Sequence, residues 1–248
     1  VTEAPTGLAG AAIREGERVA RRGRIREVVF GAQDGLLSTL ALVTGVRGAE
    51  ATRYTILVAG LSGALAGTIS MGLGAYVAHK SQRDVFVAEL ENERRQLAAR
   101  PHVEQVELAD ILQAEGLSYD AARRAAAAIA TNPEVMLKTM AEKELGIPYV
   151  ATGSPVEDAL TMAGSFVVGA AVPVLPYLFL DPTPALVVSV LVTLATLFVM
   201  GVVKARLAGE RLLTSGLQIA GLAGAAAVLA YLAGTVLPHA LGIRPPTG

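Results

Sequence analysis

Five apolar runs, at about 28–46, 54–78, 158–180, 184–205 and 213–236, constrain this chain more than any other feature. Each is close to the roughly 20 residues that an α-helix needs to cross a bilayer core. In that solvent backbone N–H and C=O groups must be bonded within the protein, which leaves helices or a closed barrel; runs of this length are helical. Gly and Pro are frequent in them, as spanning helices tolerate. Composition agrees: only 17% of residues are charged and 52% are hydrophobic, where a soluble domain carries about 25% charged residues to face water. The sequence therefore predicts a polytopic membrane protein of all-α class. Pro173 and Pro176 each remove a backbone donor and predict a bend in the third span. The stretch Asp181-Pro182-Thr183-Pro184 reads as a tight turn before the fourth.

The few charges are segregated. Residues 80–150 hold twelve of the 22 acidic and nine of the 21 basic residues, a water-facing block within an apolar chain. A further six Arg (14, 18, 21, 22, 24 and 26) precede the first span in a tail that lacks the short apolar core and cleavage pattern of a secretory signal. Five spans put the termini on opposite sides. By the positive-inside rule the Arg-rich tail, the central block and Lys204, Arg206 and Arg211 face the cytoplasm, leaving Arg47, Arg53 and Arg244 on the other side. The expected organisation is a cytoplasmic tail (1–26), spans one and two (27–79), a cytoplasmic helical module (80–156), spans three to five (157–237) and an extracytoplasmic tail (238–248). Within the module, helices are predicted over 84–100, 103–114, 119–130 and 134–145. Ser118 is the expected cap of the third, Asn132 and Pro133 interrupt the run, and Pro133 opens the last helix.

Composition also excludes chemistries. With Cys 0 there is no disulfide, thiol nucleophile or Cys-ligated zinc or iron–sulfur site. Three His leave room for one or two ligands but not a His-rich centre. A net charge of -1 gives no basic footprint for a nucleic acid.

Asp34 is the most informative residue. On a helix starting near Glu27 it lies roughly 10 Å along the axis, past the headgroups, where a carboxylate costs on the order of 3 kcal/mol by insertion scales. Such a group faces a bundle interior or a wet path, binding a cation or moving a proton; the alternative is that it caps or bonds a neighbouring broken helix. Glu27, two turns earlier on the same face, suits the mouth of that path. Met71 occupies the matching depth on the second span. A lone Met is usually core filling, but Gly60, Gly63, Gly67 and Gly74 make a stripe on the same helix that suits close helix approach, a narrow conduit or a dimer seam. A carboxylate and a thioether together suit a transition metal better than calcium or magnesium. In the module, Glu89 and Glu93, Glu104 and Glu107, and Met140 and Glu144 each share a helix face. Stacked carboxylates need a counter-charge, met either by Arg94, Arg95 and Arg100 on a solvated face or by a bound cation. Spacing alone does not bring the pairs together.

Three segments carry a resemblance: Arg26-Glu27-Val28-Val29-Phe30-Gly31-Ala32-Gln33-Asp34-Gly35-Leu36, the run from Ile69-Ser70-Met71-Gly72-Leu73-Gly74 to Gln82, and Glu144-Leu145-Gly146. Over residues 24–236 the chain resembles the vacuolar iron transporter family. The resemblance implies a homodimer of five-helix protomers that exports Fe²⁺, and often Mn²⁺, in exchange for protons through a conduit at the dimer interface. It implies Asp34 and Met71 as the membrane metal ligands, Glu27 as the cytoplasmic-entrance acid, and Glu93, Glu104, Glu107, Glu144 and Met140 as ligands in the module. Lys204 falls where the family tends to carry a lysine. Where the family has a glutamate on the second helix this chain has Gly63; Gln96 and Ala141 replace a module glutamate and a second methionine, with Glu89 or Glu91 as the substitute.

The expected function is thus proton-coupled export of a divalent transition metal, Fe²⁺ favoured. Iron or manganese is cargo and the proton counter-ion, with no permanently bound cofactor; the partners are a second copy and the bilayer, not a nucleic acid. A manganese exporter of the same architecture is the near alternative. A non-transporting iron sensor or structural membrane protein is the distant one; the Glu-x-x-His pattern of di-iron bundles is absent. High Ala and Arg content favours the plasma membrane of a bacterium over a vacuole.

Overall fold

The computed structural model describes residues 8–147 and 154–242. The extreme tails and the end of the expected module lie outside them, including Arg244. Among the described residues the chain is all helix: α1 (Leu8–Gly48), α2 (Arg53–Ala99), α3 (Pro101–Ala114), α4 (Tyr119–Ala130), α5 (Pro133–Lys143), α6 (Pro155–Val174), α7 (Pro176–Phe179), α8 (Pro182–Ala208) and α9 (Leu212–Ala240). Five of these, α1, α2, α6, α8 and α9, are long and apolar enough to cross a membrane. The chain divides into one unit of residues 1–76 and 155–248, and a second of residues 77–154.

In the spanning unit α1 is the central element, packing on α6, α8 and α9. Its small residues make this possible. A Cβ at Gly35 would strike the Phe166 carbonyl of α6, and one at Gly169 of α6 would strike that of Ala32. On the other flank, Gly234 of α9 meets Gly45 in the same way. With no hydrophobic force between helices in lipid, such backbone-to-backbone approach is what holds them together.

Helix α2 is 47 residues long, about 70 Å at 1.5 Å per residue and more than twice the bilayer core. Only its apolar N-terminal part can span. Its charged remainder, from Val77, belongs to the second unit. There Leu108, Leu112, Ala122, Ala126, Met136 and Met140 form a core fed by α3, α4 and α5. Burial of each large side chain among them contributes roughly 2 kcal/mol.

Several local expectations are corrected. The first helix begins at Leu8 rather than near Glu27, so much of the Arg-rich tail is helical. Ser118 precedes α4 but makes no side-chain capping bond. Asn132 is a working cap rather than an interruption only: its side chain accepts from the Glu134 and Val135 amides. The turn after the third span is shorter than expected. Pro182 stands at the first position of α8, where a missing N–H costs nothing, so Thr183 and Pro184 already belong to that helix.

The bend in the third span has its own chemistry. Pro173 and Pro176 break it into α6 and α7, and carbonyls freed in a membrane need donors. Ser189 Oγ of α8 donates to the Pro173 carbonyl at 2.7 Å. Arg53 Nε donates to the Tyr177 carbonyl at 2.6 Å and its Nη2 to that of Leu178.

Candidate functional site

Two constellations stand out, one in each unit. In the spanning unit, Asp34 of α1 and Met71 of α2 line one cavity of about 200 Å³. Its other walls are Ser38, Thr39 and Leu42 of α1, Gly63, Gly67 and Ser70 of α2, and Phe166 of α6. Asp34, Ser38 and Leu42 recur every four residues and so share one face. Asp34 lies nine residues into the span that begins at Ile25. Ser38 Oγ donates to the Asp34 carbonyl at 2.6 Å, which leaves its oxygen lone pairs free to accept or ligate.

The glycines of α2 have a definite task here. A Cβ at Gly63 would strike Leu42, and one at Gly67 the ring of Phe166. Gly60 likewise sits beside Val43 and Val174, while Gly74 faces nothing. Three of the four stripe glycines therefore receive side chains of this same chain. Gly63 itself contributes no ligand; its missing side chain is filled by Leu42. Met71 is only half-free, packed in part on the cluster of Ala75, Ala159 and Met162.

Glu27 is buried at 5% exposure, and Arg26 Nη2 pairs with its Oε1 at 3.1 Å. Lys204 is exposed near the end of α8, apart from the residues that line the cavity.

In the second unit, ligand atoms of Glu93 (α2), Glu104 (α3) and Glu144, the residue after α5, all lie within 4.8 Å of one another. Glu93 is 1% and Glu104 4% exposed, and Glu93 Oε1 has no hydrogen-bond partner among the described residues. Burial and the neighbouring carboxylates of Glu144, Glu104 and Glu107 push the Glu93 carboxyl up to about 7. Burial and Glu107 raise Glu104 as well, against the pull of Arg100. Glu144 is raised by burial, Glu107 and Glu104. Three acids held this close have two stable outcomes: they keep protons, or they share a cation. With no sulfur or imidazole in the set, its all-oxygen chemistry takes Fe²⁺ and Mn²⁺ but also harder ions.

The remaining predicted residues fall around this cluster or away from it. Glu107 is exposed and close enough to raise all three acids. Glu89 is exposed and outside the triad. Met140 is buried in the apolar core beside Leu108 and Met136, while Glu144, four residues on, reaches the acids. The same-helix pairs of the sequence are thus split, one glutamate from each of three segments entering the site.

Sequence reasoning missed Ser38, Thr39, Leu42, Ser70 and Phe166 as cavity residues. Ser38 had a signal, four residues from Asp34 on the same helix. Phe166 had none, because only the α1–α6 contact brings it there.

Comparison with known proteins bears on these sites. The model of the VIT family matches residues 25–235. Vacuolar iron transporter 2 of Oryza sativa subsp. japonica is 38% identical over 208 residues, covering 84% of this chain and 85% of the relative. Vacuolar iron transporter 1 of the same plant is 36% identical, covering 84% and 82%. Vacuolar iron transporter 1 of Arabidopsis thaliana is 33% identical over 216 residues, covering 87% and 86%. These relatives overturn the expectation of a bacterial plasma membrane. The named relatives come from plants, Plasmodium falciparum and yeast, and those of the plants and the parasite are vacuolar by name. Ala and Arg are both strong helix formers, so their abundance in an all-helical chain does not identify the host membrane. Five spans, an intramembrane Asp and Met on one cavity, a buried carboxylate triad and a match across nearly the whole chain lead to one conclusion: this chain belongs to the VIT family, and is a membrane transporter of that iron-transport family.

Proposed function

We propose that the protein moves a divalent transition metal, with Fe²⁺ the favoured cargo, across its membrane in exchange for protons. The observation that carries this reading is the convergence of Asp34 and Met71 from two spanning helices on one cavity. The carboxylate supplies charge and a hard oxygen, the thioether a soft ligand that calcium and magnesium do not use. The Glu93, Glu104 and Glu144 triad gathers the ion before it enters, Glu107 adds to the local field, and Glu27 accepts the ion at the mouth of the path.

Protonation of Asp34 from the far side then weakens binding and releases the ion, since a neutral carboxyl loses most of its hold on a cation. Orientation follows the Arg counts: tail and acidic unit on the cytosolic side, export away from it. A second copy is expected against α1. Its Asp34, Ser38 and Leu42 face is left partly open by the protomer's own helices, and a two-fold seam there would give the ion a carboxylate from each subunit. Manganese is the rival cargo, since both ions accept this ligand set.

The test is a proteoliposome assay with an internal pH dye and Fe²⁺ or Mn²⁺ outside. Asp34→Asn is expected to abolish metal-dependent proton flux; unchanged flux would sink the proposal. A flux driven by Mn²⁺ and not by Fe²⁺ would replace the favoured cargo with its rival.

A further inference from the structure

Lys143 adjoins the carboxylate triad in the chain, yet its charge is committed elsewhere. It is the last residue of α5, and Glu144 follows it directly. Its ammonium donates to both carboxylate oxygens of Glu115, from Nζ to Oε1 at 2.7 Å and to Oε2 at 2.5 Å. Glu115 is the residue after α3, eleven positions beyond Glu104 of the triad, about 16 Å along that helix. Burial, Glu107 and Glu104 all raise the Glu144 carboxyl, the direction expected where the adjacent ammonium is held away.

Stability does not account for this pair. The Lys143 and Glu115 side chains are 39% and 44% exposed, and an ion pair so open to water contributes little. A carboxylate at the C-terminal end of α3 also opposes the dipole of that helix. Nor does Glu144 depend on the pair for its place. Its N–H donates to the Met140 carbonyl at 2.8 Å, and the Ile147 N–H donates to the Ala141 carbonyl at 3.0 Å. The chain turns between them at Gly146, with φ of 63°, and Ile147 is buried. The end of α5 is thus fastened by its own backbone.

What the pair controls is a charge. Glu93 and Glu104 are buried and Glu144 is exposed, so the triad is open on the side that Lys143 adjoins. A cation and an acid adjacent in sequence can meet, as Arg26 and Glu27 do at 3.1 Å in this same chain. An ammonium resting on Glu144 would supply the counter-charge that three crowded carboxylates otherwise take from a metal ion. We propose that Glu115 is a positioning residue for the triad: by holding the Lys143 ammonium away from Glu144, it keeps the three acids open to a metal ion. The proposal rests on the reading of the triad as a metal site.

The test is calorimetry of Mn²⁺ binding to the full chain in nanodiscs, at about 0.15 M salt to screen distant charges. The share belonging to the triad is the heat lost in Glu93→Gln with Glu104→Gln. Glu115→Gln is expected to weaken that binding about tenfold. Lys143→Gln alone, and Lys143→Gln combined with Glu115→Gln, are both expected to bind as the unaltered chain does, although neither has the ion pair. The loss should appear only where Lys143 is present and Glu115 is not. An equal loss in all three variants would make the pair a structural fastening and overturn the proposal. Unchanged affinity in Glu115→Gln would overturn it as well. Circular dichroism at 222 nm checks that each variant is folded, and a tenfold loss in a folded Lys143→Gln chain counts against the proposal without reference to Glu115→Gln. Absence of any triad heat in the unaltered chain would instead remove the reading of the triad as a metal site, and the proposal with it.

Discussion

The triad of the second unit and the cavity of the spanning unit solve opposite problems. The triad packs three carboxylates from three chain segments within 4.8 Å, two of them buried. The cavity holds one carboxylate, one thioether and three hydroxyls in about 200 Å³. High charge density captures a cation from dilute solution but holds it against release. A single charge with weak neutral ligands binds less tightly and lets go, as a transport path requires. The difference also sets what each site can exclude: the all-oxygen triad accepts hard and borderline ions alike, and only the cavity offers sulfur.

The sharpest way to break this comparison is Asp34→Asn. Loss of the sole charge in the cavity is expected to reduce transport by on the order of 100-fold, since even outer-shell changes at metal sites cost 10–100-fold. Metal binding to the triad, measured by calorimetry in the same variant, should be unchanged. If both fall together, the two sites are not independent. The converse variant, Glu93→Gln with Glu104→Gln, should weaken calorimetric binding by more than about tenfold and slow transport only at low metal concentration. An equal loss at saturating metal would remove the gathering role.

Acidity sharpens the contrast next. With the Glu93 carboxyl at about 7, protons compete with metal, so triad affinity should fall about tenfold for each pH unit below that value. The metal-free protein should show the matching stability effect. Below the ordinary value of 4.5 the carboxyl is protonated in folded and unfolded chains alike. Between 4.5 and about 7 only the folded chain keeps the proton, so stability falls as pH rises across this window and levels off above it. A denaturant titration at several pH values reads the slope, and Glu93→Gln should flatten it. Smaller again is Met71→Leu, which keeps the volume and removes the sulfur. Transport should continue, with the Fe²⁺ preference over magnesium reduced by a few-fold in competition assays. The smallest effect is expected from Gly63→Glu. The flexible end of Leu42, 36% exposed, can swing aside for it, so folding should persist while the protons moved per metal ion change.

The sequence carried the spans and the module helices because both leave one-dimensional signatures: apolar run length, and Pro or Gly at helix ends. The helix over 119–130 was legible to the residue. Asp34 was legible because charge is rare at that depth. The triad was not, since Glu93, Glu104 and Glu144 are 11 and 40 residues apart and their meeting depends on how α2, α3 and α5 pack. Periodicity instead suggested same-helix pairs, of which Glu89 lies outside the triad and Met140 in the apolar core. The helical start at Leu8 escaped for a related reason. An Arg-rich segment lacks the apolar stripe by which a helix is recognised.

The glycine contacts of α1 have a mechanical consequence. Where two backbones touch, as at Gly35 on α6 and Gly234 on α9, neither helix slides without unseating the other, because there are no side-chain rotamers to absorb the shift. Helix α2 meets the rest of its unit differently, through Leu42 and Phe166 resting on Gly63 and Gly67, and side chains of that kind can change rotamer. The wall that carries Asp34 is therefore bolted to the frame of the bundle, and the compliance of the cavity resides in the wall that carries Met71.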